Sequence, residues 1–246
     1  MPITETTGLS TPKIPSNYLL ACLPEAEYQR LSPSLERVSL SLASVIYESG
    51  VVLTHVYFPI DCVVSLLNVM TNGDSAEIAV VGSEGMVGVS LFMGGQSTTS
   101  RAIVQSEGNA FRLKVDVLKA HFDLGGAMQH LLLRYTQALM TQITQTAACN
   151  LHHSVEQQLS RWLLMSLDRL PDNQVLMTQG LIANMLGVRR AGATDATDKL
   201  QTAGLITYKS GTITVLDRPG LQDHACECYA VVKKEYDRLL PEVTAS

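Results

Sequence analysis

The stretch that decides the fold runs from residue 178 to residue 217 and reads TQGLIANMLGVRRAGATDATDKLQTAGLITYKSGTITVLD. Thr178 is a favourable N-cap residue for a short helix, and Gly187 allows a tight turn where that helix ends. A second helix is predicted from about Arg189 to Ala203, because Gly204 can adopt the left-handed conformation that terminates a helix. The stretch therefore begins as two short helices joined by a glycine turn.

Two short strands follow the second helix. Leu205-Ile206 and Ile213–Val215 flank the segment Lys209-Ser210-Gly211, whose glycine favours a hairpin turn. Helix, turn, helix and hairpin in this order are typical of a winged helix-turn-helix, in which the second helix enters the major groove of DNA. Residues 154–246, which include one more predicted helix ahead of this motif, are therefore predicted to form a winged helix-turn-helix DNA-binding domain.

A long helical pattern precedes this domain, over residues 124–153. Its apolar residues recur at alternating spacings of three and four, close to the seam of a coiled coil. The chain shows no second helix of similar length, so we expect a dimerisation helix and hinge here, with a second copy as the partner. The alternative is that the same stripe packs on the chain's own β-domain. The predicted dimer interface consists of Met128, Leu131, Leu132, Tyr135, Leu139 and Ile143.

The region between Arg37 and Val115 has the alternating pattern of β-strands. Short runs such as AEIAVVG and NAFRLKV are separated by glycine and asparagine turns, which favours an antiparallel barrel, roll or sandwich. The predicted fold class is α+β, with an N-terminal antiparallel β-roll, a long dimerisation helix and a C-terminal winged helix-turn-helix. The β-roll domain is predicted to span residues 16–123, behind a flexible tail of residues 1–15.

Composition excludes several other classes of protein. Of the 246 residues, 46% are hydrophobic and 17% charged, which is a globular balance. The longest apolar stretches are far shorter than the roughly 18–20 residues of a membrane span, and the first residues lack the apolar run of a signal peptide, so a cytoplasmic protein is expected. Five cysteines without a C-x-x-C pair indicate free thiols. The net charge of −5 is unlike that of most nucleic-acid-binding proteins.

The whole pattern, over about residues 16–240, resembles the Crp/Fnr superfamily of bacterial transcription regulators. The resemblance is carried by GSEGMVGVSLFMGG in the roll, HHSVEQQLSRWLL at the domain junction, and LIANMLGVRR, LQTAGLI and GTITVLD in the winged helix. It implies a cyclic-nucleotide-binding-like roll that senses a small-molecule effector and a long helix that makes a homodimer. It also implies two recognition helices that read a palindromic operator in double-stranded DNA, with RNA polymerase as a further partner.

The roll departs from the members of the superfamily that bind cyclic AMP. In those members a glycine-glutamate pair holds the ribose and an arginine-serine pair holds the cyclic phosphate. Here Gly88 is followed by Val89, and Arg101 is followed by Ala102. These four residues form the predicted effector pocket, and the substitutions predict an effector other than cyclic AMP, or none.

The recognition helix also departs from the common pattern. Members often carry a glutamate and an arginine at the positions of Ala191 and Asp195, so we expect a different specificity and a low affinity. Arg190 is the predicted principal base reader, because an arginine can grip guanine with two donors. The predicted DNA contacts are Thr178, Gln179, Arg189, Arg190, Thr194, Thr197, Lys199, Lys209 and Ser210.

Two rival functions compete with the regulator interpretation. A cupin-like enzyme needs clustered metal ligands, and His55 is the only histidine in the strand region. Cys226 and Cys228 point about 200° apart if both lie on a helix. The sequence therefore predicts no catalytic residue, no metal site and no cofactor. The second rival is a ligand-binding or protein-interaction module that has lost specific DNA binding, which the net charge of −1 over residues 154–246, from 10 basic and 11 acidic residues, favours.

Overall fold

The structure is a computed structural model that describes residues 17–240. The predicted flexible tail of residues 1–15 lies outside the described residues. Two short helices, α1 (Tyr18–Ala21) and α2 (Glu25–Leu31), open the described chain. Asn17 caps α1, and its buried side-chain amide donates to the carbonyl oxygens of Pro59 and Gly85 at 2.8 and 2.9 Å. These hydrogen bonds fasten the helices to the β-domain.

Seven antiparallel strands form that β-domain. They are β1 (Glu36–Leu40), β2 (Val45–Tyr47), β3 (His55–Pro59), β4 (Val63–Val69), β5 (Ser75–Val81), β6 (Ser100–Ser106) and β7 (Gly108–Lys114). One sheet has the order β1-β7-β3 and the other the order β2-β6-β4-β5. Buried side chains alternate along β3, where Val56 and Phe58 face the core. The predicted antiparallel β-roll is confirmed, although β2 is too short for its pattern to have been recognised.

Helix α3 (Val115–Asp123) leads from the roll to the long helix α4 (Ala127–His152). Gly125, at a φ of 73°, makes the turn between them. The carboxylate of Glu27 accepts the backbone N–H groups of Ala127 and Met128, both at 3.0 Å. These contacts satisfy two of the unpaired donors at the start of α4 and place a negative charge at its positive end.

One face of α4 lies against its own chain, on β5 and on the C-terminal helix α9 (Glu227–Leu239). The Tyr135 hydroxyl donates to the carbonyl oxygen of Met86 at 3.1 Å, and the Gln142 side chain donates to that of Val80 at 2.9 Å. The predicted dimer residues all lie on this face, where five are buried and Ile143 is half-buried. Within one chain the roll and α9 already cover this stripe, which is the alternative that the sequence left open, so these side chains are not free to contact a second copy. The six residues are Met128, Leu131, Leu132, Tyr135, Leu139 and Ile143.

Helix α5 (Val155–Leu167) begins directly after the end of α4. It begins with a capping box, in which the Ser154 hydroxyl accepts from the Gln157 N–H and the Gln157 side chain accepts from the Ser154 N–H. The Trp162 indole donates to Glu77 on β5 at 2.8 Å. Helix α5 is therefore tied to the roll by a buried polar contact as well as by packing.

The winged helix-turn-helix follows. Its elements are β8 (Gln174–Leu176), α6 (Gln179–Leu186), α7 (Arg190–Thr202), β9 (Ile206–Lys209) and β10 (Thr212–Val215). The strands form an antiparallel sheet in the order β8-β10-β9, so the predicted hairpin is confirmed and β8 adds a strand that was not predicted.

The chain then forms helix α8 (Arg218–His224) and helix α9, which packs back along α4. Cys226 is the N-cap of α9, in an extended conformation with φ −76° and ψ 166°, and Cys228 lies in the first turn. The expectation that these two side chains point apart on one helix is wrong, because Cys226 precedes the helix. None of the helices between residues 17 and 240 combines the length and the apolar character that a membrane span requires.

Candidate nucleic-acid interface and effector pocket

Helix α7 is held by its small inner side chains. Ala193, Ala196 and Leu200 are at most 1% exposed and let α7 pack closely against α5 and α6. Gly187, at a φ of 66°, supplies the left-handed turn that separates α6 from α7. The opposite face of α7 is exposed, which is the arrangement that a recognition helix needs.

The two arginines predicted to reach DNA stand at the start of α7. Arg189 is the N-cap and Arg190 is the first helical residue, and both side chains are exposed. Among the described residues neither guanidinium forms an ion pair within the chain. Both charges are therefore available to phosphates or base edges.

Thr178, Gln179 and the wing lie beside this helix. The Thr178 hydroxyl caps α6 by accepting the Leu181 N–H at 3.3 Å. The Gln179 side chain lies 3.5 Å from the hydroxyl of Thr194 on α7. The wing turn is made by Ser210 and Gly211, at φ 53° and 80°, the positive values of a type I′ hairpin. The structure therefore brings the start of α6, the exposed face of α7 and the wing turn together.

The wing turn is close to Thr178 in particular. A Cβ built on Gly211 would lie 3.7 Å from the Thr178 methyl group. Lys209 and Ser210 are exposed at this turn. A basic side chain and two hydroxyls on one edge can donate to successive phosphates.

Two of the predicted contacts are placed differently. Thr197 is fully buried and its hydroxyl donates to the carbonyl oxygen of Ala193 at 2.8 Å, so its prediction as a DNA contact is wrong. Its position follows from the helical period, since it lies on the inner face next to Ala196. Lys199 is exposed but is held by Glu156 at 2.6 Å and Asp195 at 3.0 Å.

These two carboxylates change what Lys199 can contribute. Its hydrogen bonds with Glu156 and Asp195 raise the pKa of its ammonium group. The charge is thus permanent at neutral pH but is already neutralised locally. A phosphate contact by Lys199 requires that it leave these partners.

The four predicted effector-pocket residues do not form one site. Gly88 and Val89 line a small cavity of about 130 Å³ together with Ser90, Tyr47 and residues of α4. Arg101 lies elsewhere, where both carboxylate oxygens of Glu48 hold its guanidinium at 2.7 and 2.9 Å. Ala102 is fully buried in the sheet. The prediction that Arg101 and Ala102 line the effector pocket is therefore wrong. On strand β6 the Arg101 side chain points to an exposed ion pair with Glu48.

The cavity lies between the roll and α4. It is smaller than the about 300–1,000 Å³ of most ligand pockets. The Ser90 hydroxyl is buried and has no hydrogen-bond partner, which is costly unless a polar group meets it. Leu139 and Ile143 of α4 form part of the wall. A change in the volume of this cavity would therefore act directly on the long helix.

The chain is similar to known proteins in its helix-turn-helix and in its fold. Residues 157–224 match the family described as the Crp-like helix-turn-helix domain. FixK2 from Bradyrhizobium japonicum superposes with a TM-score of 0.67 at 16% identity, covering 78% of this chain and 98% of that chain. A CRP-family transcriptional regulator from Thermus thermophilus gives 0.65 at 17% identity, with 77% and 96% covered. CLP from Xanthomonas campestris, a c-di-GMP responsive regulator, gives 0.60 at 16% identity, with 79% and 100% covered. No curated protein matches the chain in a sequence search.

These findings confirm the resemblance to the Crp/Fnr superfamily. The chain has the fold of these regulators and carries a Crp-like helix-turn-helix domain.

Proposed function

We propose that the protein acts as a homodimer whose two α7 helices read the halves of a palindromic operator. The observation that carries this proposal is the pair of exposed, internally unpaired arginines, Arg189 and Arg190, at the start of α7. Recognition helices contact base edges with their N-terminal residues, and a dimer places its two helices in successive major grooves about 34 Å apart. Residues 16–123, 124–153 and 154–246 would then serve as sensor, dimer helix with hinge, and DNA-binding domain.

The roles of individual contacts follow from chemistry and position. Arg190 is the base reader, because its guanidinium can donate twice to guanine. Arg189, Lys209 and Ser210 contact phosphates, with Thr178, Gln179 and Thr194 as shorter polar contacts along the same edge. Asp195 and the paired Lys199 reduce the positive charge of α7, so discrimination over random DNA should lie near the low end of the roughly 10³–10⁷-fold range.

Dimerisation would use the exposed face of α4. His130, Leu133, Gln137, Met140, Thr144, Ala147 and Leu151 are all exposed, and their spacing of three and four continues over six intervals. We refer to these seven residues as the outer seam. Leu133, Met140 and Leu151 are 48%, 57% and 77% exposed, which is unusual for large apolar side chains at coiled-coil spacing. A second copy of α4 is the occupant that this repeat fits, and Crp/Fnr regulators typically act as dimers.

The test is a binding titration against operator fragments selected from random duplex DNA. Arg190→Ala should cost about 1–3 kcal/mol on the selected site and remove the preference at one base pair in each half-site. Lys209→Ala should weaken binding to all sequences and reduce the salt dependence by about one counterion per subunit. Arg37→Ala, an exposed arginine on β1, is the matched control and should leave binding unchanged.

A second candidate function rests on the charge of α7. Asp195 and Asp198 stand on its exposed side, and Lys199 is neutralised by carboxylates. This arrangement favours an interaction module that has lost specific DNA binding. Absence of salt-dependent binding to any duplex at low ionic strength would establish that alternative and reject the operator-binding dimer.

We further propose that any effector is not cyclic AMP. The cavity of about 130 Å³ is too small for typical ligands, and Arg101 is occupied by Glu48. Calorimetry should show no binding of cyclic AMP at micromolar concentration, whereas a low-micromolar Kd would reject this part of the proposal. A cytoplasmic location and a contact with RNA polymerase go with the regulator role and stay predictions.

A further inference from the structure

Four potential metal ligands meet where α4 ends and α9 begins. Cys149 and His153 come from the last turn of α4 and its C-cap, and Cys226 and Cys228 come from the N-cap and first turn of α9. One ligand atom from each residue lies within 4.8 Å of every other. We propose that these residues form a tetrahedral Cys₃His site for Zn²⁺.

The distances agree with this coordination. Zinc–sulfur bonds of about 2.3 Å and zinc–nitrogen bonds of about 2.0–2.1 Å place tetrahedral ligand atoms about 3.5–3.8 Å apart. The Cys149 and Cys226 sulfur atoms are 3.5 Å apart, and the Cys228 sulfur lies 3.7 Å from His153 Nδ1. Both measured distances therefore fall within the range expected between two ligand atoms of a tetrahedral zinc site.

The local backbone explains how the ligands converge. Cys149 and His153 are four residues apart, so they project from the same side of α4. Cys226 and Cys228 converge because Cys226 lies outside the helix that carries Cys228. The three sulfur atoms sit in residues that are at most 6% exposed, so the site is closed to water on that side.

The other nitrogen of the histidine has a partner as well. His153 Nε2 lies 3.3 Å from a carboxylate oxygen of Glu227. Metal-bound histidines usually donate their second N–H to a carboxylate or carbonyl, which fixes the tautomer and orients the ring. Glu227 therefore directs Nδ1 of His153 towards the sulfur atoms.

A buried cation completes the charge balance. Three thiolates and one neutral imidazole around Zn²⁺ carry a net charge of −1. Arg161 is 4% exposed, forms no ion pair with any residue between 17 and 240, and has an Nε–H without a partner. Its charge interacts with Cys149 and Cys228, as well as with Glu77. A buried guanidinium is costly unless an anion accompanies it, and the metal–thiolate cluster supplies one.

The ligand chemistry selects the metal. Three thiolates and one imidazole suit a borderline-soft ion in tetrahedral geometry, and four protein ligands leave no open position for catalysis. The site is thus structural. Its ligands also bracket the Crp-like helix-turn-helix domain, since residues 157–224 lie wholly between His153 and Cys226. The metal would clamp the entry and exit of that domain to the end of α4.

The experiment is a Co²⁺ titration of the reduced, metal-free full chain, followed by displacement with Zn²⁺. Wild-type protein should bind one Co²⁺ per chain, with the intense visible absorption of tetrahedral, thiolate-bound Co²⁺, and Zn²⁺ should abolish that absorption. Cys228→Ser should lose the spectrum. Cys22→Ser, which changes a cysteine in another part of the fold, is the control and should keep it.

Two milder variants test the ligand roles without removing a thiol. His153→Cys should retain Zn²⁺ binding, because four thiolates also form a closed site. Glu227→Gln, at an exposed side chain, should weaken metal binding by about 10–100-fold. An octahedral Co²⁺ spectrum, less than stoichiometric binding by wild type, or an unchanged spectrum in Cys228→Ser would each overturn the proposal. These readouts are independent of DNA binding.

Discussion

Helix α4 has two apolar faces that share one spacing and meet different surroundings. On the inner face Leu132 and Tyr135 are 1% and 0% exposed, against β5 and α9. On the outer seam Leu133 and Met140 are 48% and 57% exposed. The residues of the inner face and those of the outer seam both recur every three or four positions, so the sequence pattern predicts a buried stripe for each.

The difference teaches that periodicity identifies a buried face without naming its partner. The inner face is wide and includes polar residues that bond the roll, such as Gln142. The outer seam contains small and polar residues, including Thr144 and Ala147, which allow a second helix to approach closely. Residue identity alone would favour the inner face as the dimer contact, because it is the more apolar of the two.

The largest expected effect comes from placing a charge on the outer seam. Met140→Asp should dissociate the dimer, because burial of each methionine contributes about 1.5–3 kcal/mol and a symmetric dimer contains two. The dimer Kd should rise more than a hundredfold, measured by analytical ultracentrifugation. Met140→Leu is the control and should remain dimeric. A dimeric Met140→Asp protein, or a wild type that is monomeric at micromolar concentration, would contradict the proposal that the outer seam is the dimer interface.

The next test uses two neighbouring leucines on opposite faces. Leu132→Ala should lower the free energy of unfolding by about 2–5 kcal/mol, because it opens a cavity against the roll. Leu133→Ala, at an exposed position, should cost less than about 1 kcal/mol in the monomeric Met140→Asp background. Urea denaturation of both variants in that background measures the difference. If both variants lost the same free energy of unfolding, the assignment of Leu132 to a buried face and of Leu133 to an exposed face would be wrong.

The smallest expected effect concerns the polar contact between α5 and the roll. Burial raises the pKa of Glu77 to about 7, so its folded pKa lies above its unfolded value. Its stabilising contribution is therefore fully present below the unfolded pKa of about 4.3 and is lost as the pH rises through about 7. The loss relative to Glu77→Gln should reach about 2–3 kcal/mol between pH 5 and pH 8, measured by urea denaturation. Parallel pH profiles of wild type and variant would contradict this.

The winged helix-turn-helix could be predicted from sequence because its signals are local. Thr178, Gly187 and Gly204 fix the ends of α6 and α7, and Ser210-Gly211 fixes the wing turn. Strands β2 and β8 escaped prediction, since three residues carry too little periodicity. Thr197 lies on the buried face of α7 and not on the side predicted to face DNA. The sequence pattern does not reveal this, because its buried neighbours Ala193 and Ala196 are small and do not mark an apolar face.

The sequence by itself determined the order of elements, the antiparallel roll, the capping box at Ser154 and the recognition helix, since each depends on neighbours within one or two turns. Only the tertiary structure decided which face of α4 is covered, that Arg101 pairs with Glu48, and that Cys149 meets Cys226. Those contacts join residues more than fifty positions apart. The contact between Cys149 and Cys226 depends on how α9 packs against α4 and on the extended backbone of Cys226 at the start of α9. The spacing of residues along the chain does not encode either feature.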